Sequence, residues 1–206
     1  MEKFTKLSGV AAPFTRINVD TDLIIPAEHL KTISRLGLGK HLFSYIRYNE
    51  DGSPKKEFIL NQDRYKKSTI LVTGKNFGCG SSREHAVWAL SDFGIKCLIG
   101  SEFADIFYNN CFKNGVLPIV LDTKKIEKII KIISSSETSE LEIDLKSQFI
   151  KTKENEIINF DILPYLKKNL LDGIDDISKT LEKKKLIDEY EININKKYPW
   201  LGKKNG

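Results

Sequence analysis

The β-branched run Ser68–Thr73 (STILVT) opens directly into Gly74-Lys75-Asn76-Phe77-Gly78-Cys79-Gly80, and that loop opens into the helix-favouring stretch from Ser81 to Phe93. A buried strand, a glycine-rich loop and a helix in succession make a βα unit, which commits the chain to a parallel sheet. Ser81 followed by Glu84 has capping-box spacing and predicts Ser81 as the N-cap. Gly94 stops the helix, and Ile95–Ile99 reads as the next strand. Ser101 is the expected cap of a second helix through Asn114, with Gly115 as its stop and Val116–Leu121 as a third strand. The expectation is an α/β fold with a parallel βαβαβ core.

The flanking segments add to that core. Leu7–Phe14 is apolar and reads as a strand ending near Pro13, Asn18–Asp22 as a turn and Leu23-Ile24-Ile25 as a short apolar run closed by Pro26. Residues 27–47 read as helical pieces broken at Gly37 and Gly39, and 51–54 as a surface loop. Beyond the core, 124–133 is an amphipathic helix, 141–145 and 148–152 alternate like hairpin strands, and 161–171 and 177–191 read as helices. One domain over 1–206 is expected, with added antiparallel strands, covering helices and a helical extension from about 161.

Composition excludes several classes. No run approaches the roughly 18 uncharged apolar residues of a membrane span, and the start MEKFTK has no apolar leader. The net charge of +5 comes from 28 lysines and five arginines without a basic stripe, so no nucleic-acid partner is expected; the terminal lysines read as a solvated tail. Cys79, Cys97 and Cys111 form no C-x-x-C pair, and His29, His41 and His85 form no close pair in sequence, so no metal is expected on this chain. Three cysteines without a secretion signal point to reduced thiols in a cytoplasm. Cys97 and Cys111 fall in core elements, and Cys79 reads as a small residue packing its loop.

The glycine loop before a helix can hold an anion on its N–H groups. It is not a P-loop, since 79–81 are Cys-Gly-Ser, and the dinucleotide fingerprint would need glycine where Arg83 stands. Arg83 instead offers a planar fork for a carboxylate, and N–H donors and a helix N-terminus favour an ionised hydroxyl at Ser81 or Ser82. These groups suit proton abstraction next to a carboxylate. An ordinary capping box with a solvated Arg83 accounts for the same residues, as does a non-catalytic anion- or nucleotide-binding module.

Gly74–Ala86 (GKNFGCGSSREHA) resembles the signature of the aconitase-superfamily swivelling domain, a β/β/α-type module, and Asn18–Pro26 (NVDTDLIIP) is similar to its other marker. Gly37–Phe43 (GLGKHLF) and Phe103–Tyr108 (FADIFY) resemble the small subunits of bacterial 3-isopropylmalate dehydratases. The resemblance covers nearly the whole chain. It implies a hydro-lyase of leucine biosynthesis that converts 2-isopropylmalate through 2-isopropylmaleate to 3-isopropylmalate. The implied partner is a large subunit carrying a 4Fe–4S cluster, with no cofactor on this chain, in line with the cysteine spacing.

The family pattern matches Ser81 to the general base and Ser82, Arg83 and Gly80 to substrate binding. It also assigns Thr21 and Asp22 to substrate binding, with capping of their own turn as the alternative account of Asp20 or Asp22. The segment 28–43 is expected to face the substrate's variable end, with Leu30, Ile33, Arg35 and Leu36 setting specificity and Leu38 and Leu42 adding to an apolar wall. Homoaconitate, citraconate or a methylmalate are the alternative substrates; Arg35 is the one arginine there that could meet homoaconitate's third carboxylate.

Overall fold

The computed structural model describes residues 1–31, 34–136 and 138–200. The first half runs β1 (Lys6–Phe14), α1 (Thr21–Ile24), α2 (Ser44–Arg47), β2 (Ile70–Thr73), α3 (Glu84–Phe93), β3 (Cys97–Gly100), α4 (Asp105–Lys113) and β4 (Leu117–Val120). The second half adds α5 (Thr123–Ser135), β5 (Glu140–Asp144), β6 (Phe149–Thr152), β7 (Ile157–Asn159), α6 (Pro164–Asp172), α7 (Asp176–Glu182) and α8 (Lys184–Lys197). One compact unit spans Met1–Gly173, and a second, smaller one begins at Ile174.

One mixed sheet in the order β4-β3-β2-β1-β5-β6-β7 organises the first unit. The expected βαβαβ core is present and gains a fourth parallel strand, because β1 pairs with β2 in the register Ala11↔Ile70 to Phe14↔Thr73. On its other side β1 runs antiparallel to β5, from Lys6↔Asp144 to Val10↔Glu140. Strand alternation divides the apolar residues into two layers. Leu71 and Leu98 pack with Ala86, Val87 and Leu90 of α3. Ile70, Val72, Cys97 and Ile99 pack on the other side with Ile126, Ile129 and Ile133 of α5 and Leu166 and Leu170 of α6. All four residues of β2 are buried, as a central parallel strand requires.

Several boundaries differ from the sequence reading. Ser101 caps nothing, because residues 102–104 pair with the glycine loop: Phe77 N–H donates to the Glu102 carbonyl at 3.3 Å and Ala104 N–H to the Phe77 carbonyl at 3.1 Å. α4 therefore starts at Asp105, with Ala104 at its N-cap. The third antiparallel strand, β7, is too short at three residues to show alternation. α6 starts at Pro164, whose fixed φ suits the first helical position. The single helix expected over 177–191 is two, separated at Lys183.

The plug at the centre of the sheet's upper edge is Phe77, fully buried among Phe14, Phe43 and Phe107 with ring centroids 6.4, 6.5 and 5.5 Å away. Phe77→Ala should lower stability by about 3–5 kcal/mol. Urea unfolding should show this as a lower midpoint at unchanged slope, whereas Ile106→Ala, at an exposed position, should leave the midpoint in place.

Candidate active site

Adjacent parallel strands β1 and β2 end side by side at Phe14 and Thr73, so the loops that follow leave the sheet together. They are laced to each other by their backbones. Asn18 N–H donates to the Lys75 carbonyl at 2.9 Å, and the Val19 carbonyl accepts from Gly78 N–H at 2.7 Å and Cys79 N–H at 3.2 Å. Gly78 is obligatory: its φ is +78°, and a Cβ there would stand 2.1 Å from the Phe107 ring. The site thus sits at the carboxyl ends of parallel strands, where open α/β sheets bind ligands.

Ser81 is not a helix cap. Its carbonyl is taken by the Thr21 hydroxyl at 2.7 Å, and α3 begins only at Glu84, after an Arg83 in extended conformation (φ −132°, ψ 106°). The capping box is absent. α3 starts at Glu84 with Arg83 at its N-cap, and Arg83 lines the same cleft as the two serines. Ser81 and Ser82 are exposed.

Arg83 is not solvated either. One guanidinium nitrogen, Nη1, is bonded to Asp22 Oδ1 and also reaches the Ile25 carbonyl at 3.3 Å. The Arg83 side chain is only 19% exposed. The same Asp22 oxygen accepts from Ala27 N–H at 3.2 Å. The bond to Arg83 holds the Asp22 carboxyl below its ordinary value. Asp20 caps α1, accepting from Leu23 N–H at 2.7 Å. Of the two aspartates, one is a cap and the other seats an arginine.

Thr21, Gly80, Ser81, Ser82 and Arg83 meet around a cleft of about 250 Å³. Its opposite wall is the start of α4, Ala104 to Phe107. The sequence reading gave that wall no role, although its FADIFY segment was the available signal.

The segment 28–43 divides. Leu38 and Leu42 are core residues, 2% and 0% exposed, and so form no wall toward solvent. Leu30 is half-buried against the same core, and Ile33 lies outside the described residues. Arg35 and Leu36 border a separate hollow beside Trp88 and Asn114. The Arg35 guanidinium lies 5.2 Å from the Trp88 ring centre and 4.0 Å from a Glu84 oxygen. Glu84 also accepts from Trp88 Nε1 at 3.3 Å and Asn114 Nδ2 at 2.9 Å. His29 and His41, far apart in sequence, do pair: their rings stack with centroids 3.7 Å apart. Burial and the neighbouring His29 lower the His41 pKa.

Comparison with known proteins fits this architecture. The aconitase C-terminal domain family matches residues 1–124, which include every residue lining the cleft. A protein of Azorhizobium caulinodans described as a 3-isopropylmalate dehydratase small subunit is 54% identical over 98% of this chain and 100% of its own length. One of Xanthobacter autotrophicus with the same description is 53% identical over the same shares. The chain belongs to the 3-isopropylmalate dehydratase small-subunit family. A crystal structure of 3-isopropylmalate dehydratase from Methanocaldococcus jannaschii superposes with a TM-score of 0.65 at 32% identity, covering 90% of this chain and 99% of that one.

An iron–sulfur cluster of the kind aconitase-like enzymes use needs converging thiolates, and this small-subunit chain does not supply them. Cys97 and Cys111 are fully buried, which pushes both thiols well above their ordinary range. Cys79 stands apart on the glycine loop, bridged through its backbone to Asp20. Among the described residues no group of three or more His, Cys, Asp or Glu side chains is placed to hold a metal ion. The donor set does not fit a cluster.

The Asp22–Arg83 pair sets a pH dependence. With a folded pKa below the ordinary 3.8, Asp22 contributes stability above that value and loses it as pH falls through the lowered one. At partial exposure the contribution is about 1 kcal/mol or less. Urea midpoints of the wild type and Asp22→Asn should differ near pH 5 and draw together as the pH falls below 3.8. A gap of constant size across that range would exclude the ion pair as its source.

Proposed function

We propose that this chain is the substrate-gripping and proton-abstracting half of a two-chain hydro-lyase that interconverts 2-isopropylmalate and 3-isopropylmalate through 2-isopropylmaleate. The observation that carries the reading is Arg83, seated by Asp22 on a cleft rim beside two exposed serines, in a chain whose full-length relatives bear the dehydratase name. The organising unit of this reading is a single swivelling domain over 1–206 with a helical extension from about 161. Three free cysteines, two of them buried, support a reducing, cytoplasmic setting. Among the described residues no helix is long and apolar enough to cross a membrane.

Arg83 commits Nη1 to Asp22 and Ile25. The remaining edge of its guanidinium is left to meet a substrate carboxylate as a bidentate donor. Asp22 holds that fork in one orientation and offsets part of its charge. Ser82 and the loop at Gly80 add hydrogen-bonding groups to the same carboxylate. Ser81, having first released its hydroxyl proton to solvent, removes as the alkoxide the proton next to that carboxylate and ends as a neutral hydroxyl; the Arg83 charge favours the alkoxide. Departure of the substrate hydroxyl calls for a Lewis acid, which the 4Fe–4S cluster expected on the large subunit would supply.

Arg35 borders a hollow separate from the cleft, where it lies by Trp88 and Glu84, and so is not placed to meet a third carboxylate in the cleft. Isopropylmalate is therefore favoured over homoaconitate, while citraconate and methylmalates differ from it by methyl-sized groups worth roughly 10–200-fold in kcat/KM.

The test uses the assembled two-chain enzyme. Ser81→Ala should lower kcat by roughly 10²–10⁴-fold with KM nearly constant. Arg83→Lys should chiefly raise KM, because an ammonium cannot copy the fork. Near-normal turnover in Ser81→Ala would remove Ser81 as the base.

A further inference from the structure

Thr21 borders the cleft, yet its hydroxyl is spent inside the protein. The residue is 2% exposed, and Oγ1 donates to the Ser81 carbonyl at 2.7 Å. Its own N–H donates to the Cys79 carbonyl at 3.0 Å. One buried residue therefore grips the glycine loop on both sides of Gly80, which has the left-handed φ of +82°. Without those two bonds Gly80 would leave Ser81 free to swing, since glycine takes several backbone conformations at little cost.

The grip is rigid at its own end. Thr21 is the first residue of α1, whose N-cap is Asp20, and a β-branched side chain has few χ1 choices. Because the peptide is planar and trans, fixing the Ser81 carbonyl fixes the whole 81–82 peptide and points the Ser82 N–H away from Thr21. The backbone of both serines is set by one hydroxyl that sequence reading assigns to the substrate.

We infer that Thr21 is a positioning residue for Ser81 and makes no bond to the substrate; this rests on Ser81 acting as the base. A substrate ligand and a positioning residue differ in kinetics. Losing a ligand raises KM, whereas losing a positioning bond lowers kcat and leaves KM in place.

The assembled two-chain enzyme, assayed with 3-isopropylmalate, decides between them. Thr21→Val keeps the shape and removes the hydroxyl, and should lower kcat roughly 10–100-fold, the usual scale for a misplaced reacting group, with KM within about twofold. Thr21→Ser keeps the donor and should restore kcat to within about threefold of wild type. The double variant Thr21→Val with Ser81→Ala should be no slower than Ser81→Ala alone, because the threonine acts through the serine. If the valine variant does not assemble, Thr21→Ala removes the same hydroxyl and should give the same split.

A raised KM at unchanged kcat in Thr21→Val would make Thr21 a substrate ligand and overturn the inference. Equal losses in the valine and serine variants, or multiplying losses in the double variant, would overturn it too. An inactive Ser81→Ala beside a fully active Thr21→Val would remove this inference and leave the base assignment standing. An active Ser81→Ala would remove both.

Discussion

The site depends on the parallel pairing that ends at Phe14↔Thr73. It makes two loops from distant parts of the chain emerge as neighbours, and backbone bonds from Val19 and Thr21 then bind the loops into one surface. Phe77 roots that surface in the core, and Gly78 lets Phe107 close against it. Each of these contacts is buried and apolar or backbone-to-backbone, so the polar side chains at the rim need not hold the structure up.

Arginine and lysine do different work here. The chain has 33 basic residues, five of them arginine, and four of those five have fixed places. Arg47 donates to Asn61 Oδ1 and lies over Phe93. Arg64 donates to Ser139 Oγ and to the Ile133 carbonyl. Arg35 lies over Trp88, and Arg83 is seated on Asp22. Arg47 and Arg83 are half-buried, places that suit a planar, weakly hydrated fork. The lysines pair mostly at the surface, as in Lys66 with Asp63 and Lys153 with Glu140.

Much of this was legible in the sequence. The βαβαβ core and the buried Cys97 and Cys111 follow from periodicity and glycine placement. The capping box at Ser81 and the cap at Ser101 were misread for one reason: local spacing is blind to a distant partner. Thr21 takes the Ser81 carbonyl from sixty residues away, and Phe77 draws residues 102–104 out of helix. The same blindness hid the stacking of His29 on His41 and the burial of Leu38 and Leu42. Arg83 was legible as a fork, but its tie to Asp22 needed the loops brought together.

β1 is where the two kinds of sheet meet, parallel to β2 on one side and antiparallel to β5 on the other. Its two neighbours come from well separated parts of the chain, Ile70–Thr73 on one side and Glu140–Asp144 on the other. Its Ala11–Phe14 end waits for β2, and its Lys6–Val10 end waits for β5, near the close of the first unit. Until then Lys6–Val10 is an open edge able to pair with the wrong chain. Its lysine, serine and glycine make that edge polar and loosely structured, which keeps a nascent chain from sticking to its neighbours while the strand that will cover it is still on the ribosome.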